Sequence, residues 1–180
     1  LIEQEVKLAF DSPEAARLAV TTAGGRLVIS RRLIADQLLD TADRALGRAG
    51  TACRLRREGG RAFLTFKGPV QPAVVKTREE IETGVANADD VERILGLLGY
   101  REVFRSEKYR EEYDIAGANV TVDETPIGVF VEIEAEPDVI AQVTALLHRT
   151  QADYRLESYP KLYFAWCAER GLTPGDMTFS

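Results

Sequence analysis

Along most of the chain, charged and apolar residues alternate with a period of two, the pattern of strands whose two faces differ. In residues 1–10, Ile2, Val6 and Leu8 fall on one side and Glu3, Glu5 and Lys7 on the other. Similar alternation predicts strands over 51–57 and 62–67, joined as a hairpin through Glu58-Gly59-Gly60-Arg61. Further strands are predicted over 77–83, 104–115, 119–123 and 129–135, with a turn at Ala116-Gly117. Residues 26–40 are β-rich with a break near Arg31-Arg32, and 41–50 read as a polar loop. Helices are predicted where that alternation stops. Ser12 caps one, Pro13 opens its first turn, and Gly24-Gly25 follows its end at residue 23. Over 87–98, Val91, Ile94, Leu95 and Leu98 share a side, Asp89 and Asp90 favour the N-terminus, and Gly99 ends the helix. Two more span 137–149 and 159–169.

The informative feature is the composition of the polar strand face. It carries eight acids (Glu3, Glu5, Glu80, Glu82, Glu112, Asp123, Glu132, Glu134) and seven bases (Lys7, Arg54, Arg56, Lys67, Arg78, Lys108, Arg110). The opposite face carries Leu55, Leu64, Phe66, Ile81, Val120, Val122, Val129, Val131 and Ile133. Any one strand is explained by a solvated face over a core. The set is not, because an exposed face mixes Thr, Ser, Gln and Lys, whereas here nearly every position is an ion. A sheet closed into a barrel, with this face inward and helices on the apolar outside, accounts for it. Buried charges are costly unless paired or bound to something. The two signs nearly cancel, so divalent metal on the acids would leave the bases free for a strongly anionic ligand.

Length and charge narrow the partners. At 180 residues the chain makes one domain, taken as 1–170 with a C-terminal tail at 171–180. A net charge of −6 argues against a nucleic-acid polymer as main partner. No apolar run approaches the ~20 residues of a membrane helix, and residues 1–10 do not read as a signal peptide. Cys53, Cys167 and the single His148 give neither a Cys/His zinc site nor a disulfide framework, and little support for a Ser-His-Asp or Cys-His hydrolase. A reducing, cytoplasmic setting follows as the default.

Strand residues two apart point the same way, about 6.6 Å apart. Glu3 and Glu5 could therefore face Glu132 and Glu134 around one cavity with Asp123 nearby. Clustered carboxylates without His or Cys suit a hard ion, Mg²⁺ or Mn²⁺. Arginines and lysines in number suit phosphate oxygens. Metal with a cationic clamp is equipment for phosphoryl transfer, and no Walker-type phosphate loop is present.

Glu3-Gln4-Glu5-Val6-Lys7 resembles the Glu-x-Glu-x-Lys signature that opens the CYTH family, the triphosphate tunnel metalloenzymes. Similar segments follow in order: Asp36 to Thr41, Arg54-Leu55-Arg56, Phe63 to Pro69, Arg78 to Glu82, and Lys108-Tyr109-Arg110. Asp123 with Pro126, Gly128, Glu132, Ile133 and Glu134 continues the set, and Ser158-Tyr159 is similar to the start of the family's final helix. The resemblance implies an α+β fold: an eight-stranded antiparallel β-barrel tunnel with a charged interior and helices packed outside. It implies Glu3, Glu5, Asp123, Glu132 and Glu134 as ligands of Mg²⁺ or Mn²⁺. It implies Lys7, Arg54, Arg56, Lys67, Arg78, Lys108, Arg110 and Lys161 as holding a small-molecule triphosphate, with Glu80 and Glu82 orienting the bases. A homodimer is left open.

Family members include inorganic triphosphatases, thiamine triphosphatases and class IV adenylyl cyclases. Leu38 and Leu39 stand where the family often has aromatic residues, so the hydroxyl that the resemblance to thiamine triphosphatases requires is missing. The expectation is metal-dependent hydrolysis of a linear triphosphate, inorganic triphosphate before ATP, with Glu5 or Lys7 orienting or deprotonating the water. The alternatives are class IV cyclisation of ATP and a non-catalytic polyphosphate or nucleotide binder.

Overall fold

Strands with one ionic and one aliphatic face cannot bury both against the same neighbour, and closing the sheet separates the two environments. In the computed structural model, which describes residues 1–179, the strands form a closed barrel in the order β1-β5-β4-β3-β2-β6-β7-β8. They are β1 (Ile2–Phe10), β2 (Arg26–Thr41), β3 (Ala52–Glu58), β4 (Arg61–Lys67), β5 (Lys76–Val85), β6 (Tyr100–Ile115), β7 (Ala118–Thr125) and β8 (Gly128–Glu134). Every pairing is antiparallel. Gly59 and Gly60 turn the β3–β4 hairpin at φ values of 54° and 80°, a region open to glycine without strain.

Among the described residues, five α-helices lie outside: α1 (Pro13–Thr22), α2 (Ala45–Arg48), α3 (Ala88–Leu97), α4 (Pro137–Leu146) and α5 (Tyr159–Glu169). Ser12 Oγ caps α1 by accepting from the Ala15 N–H, and Asn87 caps α3. The hydrophobic core sits on the outer face of β1, β7 and β8. There Val6, Leu8, Val120, Val122, Val131 and Ile133 meet Ala16 and Val20 of α1, Ile140 and Val143 of α4, and Leu147 just past its end. The outer faces of β4 and β5 lack this cover, and Phe66 and Ile81 remain exposed.

Three differences from the sequence reading have local causes. The break expected at Arg31-Arg32 is a register irregularity between Ile29 and Arg32 within one continuous strand, so β2 runs on. The expected loop over 41–50 contains the single turn α2, held by the Asp40 carboxylate, which accepts from the N–H groups of Thr41, Leu46 and Gly47 at 2.7, 2.9 and 2.9 Å. Chain beyond α5 returns to β6: the Met177 N–H donates to the Arg105 carbonyl (2.9 Å), its own carbonyl accepts from the Glu107 N–H (2.8 Å), and its side chain is buried.

Candidate functional site

Alternation carries most of the inward-facing ions of the strands into one cavity of about 1,120 Å³. Glu3, Glu5, Lys7, Arg54, Arg56, Lys67, Arg78, Lys108, Arg110, Glu132, Glu134 and Lys161 all line it, with Glu80, Glu82 and Glu112. A paired bridge between Lys7 and Arg155 (N···O 3.0 and 2.8 Å) draws the segment before α5 across the tunnel, adding Leu156 to Lys161 to the lining.

Asp123 lies behind this surface. It is wholly buried, and its carboxylate accepts from Lys108 Nζ at 2.7 Å, Arg110 Nε at 2.6 Å and the Tyr159 hydroxyl at 2.7 Å. Lys161 is exposed, and among the described residues it has no acid partner.

Ion pairs fill the lumen. Glu3 accepts from Lys67 and from Arg78, each at 2.8 Å. One oxygen of Glu5 accepts from Lys7 at 3.1 Å and also from Lys76. Lys7 reaches Glu132 as well, at 3.2 Å, and Glu132 pairs with Arg110. Glu82 holds Arg54 (3.1 Å), and Glu80 holds Lys67. Burial opposes charge on Glu3, Glu5 and Glu132, but their lysine and arginine partners outweigh it, with Glu5 drawn down to about 2 and Glu3 and Glu132 held well below the carboxylate range.

Glu134 stands apart. It faces Glu5 directly across the β1–β8 pairing, and among the described residues no lysine or arginine pairs with it. Burial, reinforced by Glu3, Glu5, Glu80 and Glu132, pushes its carboxyl up to about 7. Among the described residues no three acids yet converge tightly enough to hold an ion. An all-oxygen donor set with one uncompensated carboxylate nevertheless fits a hard divalent cation, which would relieve the repulsion focused on Glu134.

Sequence reasoning missed several lumen residues. Asp36 grips Arg56 through two hydrogen bonds of 2.8 and 2.9 Å, so burial notwithstanding, Arg56 keeps it ionised well below its ordinary range. In the sequence Asp36 stands out only as part of a resemblance, because its place opposite Arg56 depends on the β2–β3 register. Lys76 falls one residue before the strand predicted over 77–83, so the alternation assigns it no face. Tyr159 was read only as a helix start, yet Lys7 and Lys108 lie 5.3 and 4.6 Å from its ring centre. Among the described residues, Arg54 Nε, which lines the cavity, and Thr121 Oγ1, behind it, are buried without a hydrogen-bond partner. Polar atoms left open beside a cavity are positions a ligand or water can satisfy.

A family model of the CYTH domain matches residues 1–161. A curated protein of Methanocaldococcus jannaschii, named "Putative adenylate cyclase MJ0240", is 30% identical over 135 residues, covering 74% of this chain and 77% of its own. Among solved structures, the PH1819 protein of Pyrococcus horikoshii OT3 superposes with a TM-score of 0.73 at 28% identity, covering 91% of this chain and 98% of that one. A Hippeastrum protein, HpAC1, described as a "putative adenylyl cyclase" that reveals a dominant triphosphatase activity, shares the fold at a TM-score of 0.68 and 18% identity, covering 96% of this chain and 97% of that one.

Proposed function

This chain belongs to the CYTH domain family, enzymes whose tunnel takes small-molecule triphosphates with divalent metal, and on that premise we propose that it hydrolyses a linear triphosphate, inorganic triphosphate in preference to ATP. The observation that supports this is the wall itself. The cavity could admit a nucleotide by volume, but most of its lining residues are ions, its aliphatic residues include Leu1, Ile29, Leu38, Val70 and Leu156, and Phe63 and Tyr159 are its aromatic side chains. Tyr159 is already engaged by Asp123, Lys7 and Lys108, and Arg61 lies 5.5 Å from the Phe63 ring centre. Leu38 lines the position where an aromatic was expected from the family pattern. Selection for a nucleobase needs stacking surface or hydrogen-bonding groups that a smaller ligand leaves unmet. A bare triphosphate needs only charge and length.

Glu3, Glu5, Glu132 and Glu134 are the residues suited to hold Mg²⁺ or Mn²⁺, with Asp123 tied to the same cluster through Lys108 and Arg110. A bound divalent ion supplies positive charge to phosphoryl oxygens and lowers the pKa of water. Arg54, Arg56, Lys67, Arg78, Lys108 and Arg110 converge on the cavity and are arranged to grip phosphate oxygens. Asp36 fixes the Arg56 fork by two bonds, so that side chain is pre-oriented before substrate arrives. Glu5, hydrogen-bonded to Lys7 beside Glu132, is the group placed to orient or accept a proton from an attacking water, while Lys7, kept an ammonium by Glu5 and Glu132 despite its burial, can orient the water but not take its proton.

The name of the Methanocaldococcus relative favours a second reading, cyclisation of ATP. Both reactions use the same grip and differ in the attacking group. Steady-state assays with Mg²⁺ or Mn²⁺ on inorganic triphosphate, ATP and thiamine triphosphate decide between them. The expected result is the highest kcat/KM on inorganic triphosphate, releasing phosphate and pyrophosphate. Cyclic AMP with pyrophosphate as the main products from ATP would overturn hydrolysis.

A further inference from the structure

Lys76 is a lumen cation to which no role has been assigned. It opens β5 directly across from Glu5, lines the cavity and is buried to 3% exposure. Its ion pair is with a single oxygen, Glu5 Oε1, and Lys7 donates to that same oxygen from 3.1 Å. The two lysines differ in what else they hold. Lys7 has Glu132 at 3.2 Å as a second acid, while Lys76 has none among the described residues. Its inward neighbour on β5, Arg78, is itself a cation paired to Glu3.

A divalent ion on either oxygen of Glu5 would lie close to the two ammonium groups that share Oε1, and the repulsion between like charges at that separation weakens the hold of the carboxylate on them. Lys76 is the one left without an alternative acid. A buried ammonium cannot fall back on bulk water, so it keeps its charge only if another anion comes within reach. We propose that Lys76 is a substrate-binding residue: metal on Glu5 frees its ammonium to take an oxygen of the triphosphate. The inference rests on the triphosphate reading given above and adds to it a direction of coupling. The lysine competes with the metal and cooperates with the anion, so the first ligand prepares the site for the second.

The two effects have opposite signs in one variant. Mn²⁺ is titrated into the ligand-free protein, followed by free-Mn²⁺ electron paramagnetic resonance. A non-hydrolysable imido analogue of inorganic triphosphate is then titrated into the Mn²⁺-loaded protein by calorimetry. In Lys76→Met, which keeps the length of the stem, Mn²⁺ should bind at least as tightly as in the unmodified protein. The analogue should bind about tenfold or more weakly, the scale of one lost charge-assisted hydrogen bond. Lys76→Arg should restore analogue binding to within about threefold. Analogue affinity unchanged in a folded Lys76→Met protein would overturn the proposal. Parallel loss of Mn²⁺ and analogue binding would also overturn it, by making Lys76 a scaffold for Glu5. Failure of the unmodified, Mn²⁺-loaded protein to bind the analogue would sink the triphosphate reading itself, and this inference with it.

Discussion

Two glutamates two residues apart on β8 have opposite electrostatic situations. Glu132 is buried among Lys7, Arg110 and Lys108, and these cations keep it ionised. Glu134 meets other acids, and its carboxyl rises to about 7, first through burial and then through Glu3, Glu5, Glu80 and Glu132. The same isosteric change should therefore move stability in opposite directions. Glu132→Gln leaves buried cations short of a counter-ion and should destabilise the ligand-free protein by about 3 kcal/mol. Glu134→Gln removes a repelled charge and should stabilise it above pH 7 by about 1–3 kcal/mol, with the gain vanishing toward pH 4.5, where the native carboxyl is protonated anyway. Both variants should lose most activity if both acids serve the metal. Urea unfolding of the two proteins at pH 8 and pH 5, beside turnover at limiting Mg²⁺, checks all of this. Equal stability changes in the two variants would refute the account of the cavity.

At the scale of elements, much was legible because period-two alternation survives in most strands, β2 with its register irregularities excepted, and glycines mark the turns. The inside-out sense of the barrel was readable from charge, since Glu3, Glu5 and Lys7 are in phase with each other and out of phase with Val6 and Leu8. Less legible was whatever depends on one side chain holding backbone at a distance. Nothing in the local pattern of 41–50 announces α2; it exists because the buried Asp40 carboxylate collects three backbone N–H groups. Burial of Asp40 opposes its charge, and the N–H groups of Gly47, Leu46 and Thr41 more than compensate. The turn they hold brings Gly47, Gly50 and Thr51 to the cavity wall. Asp40→Ala should cost about 1–3 kcal/mol of stability by leaving those donors unmet. It should also raise KM for the triphosphate more than it lowers kcat, because the rim loosens while the lumen ions stay. Hydrogen exchange across 41–50 would show the loosening directly, and unchanged protection there would sink this role.

The whole molecule is a barrel that stores charge where most proteins store hydrocarbon, and its stability should follow the titration of that store. Glu134 ionises near 7 in the folded state against an ordinary 4.5, so the folded chain holds more protons between those values. The stability this contributes is full below pH 4.5 and is lost as pH rises through 7. Burial, aided by neighbouring cations, brings Lys76 and Lys108 down to about 8 from an ordinary 10.5. There the unfolded chain holds more protons, so stability climbs again from pH 8 toward 10.5. Glu3, Glu5, Asp36 and Glu132, all depressed, contribute fully above pH 4.5 and lose their share only in acid. Added together, these terms give the metal-free protein a local minimum of stability between pH 7 and 8, with higher values near pH 5 and pH 9.5. Saturating Mg²⁺ should fill that minimum, since an ion among the acids replaces repulsion with attraction and favours the ionised carboxylate. Unfolding free energies from urea titrations at pH 5, 7.5 and 9.5, with chelator and then with Mg²⁺, measure this profile. A metal-free maximum at pH 7.5 would mean that the lumen charges are already balanced, leaving nothing in the fold's energetics for metal or phosphate to correct.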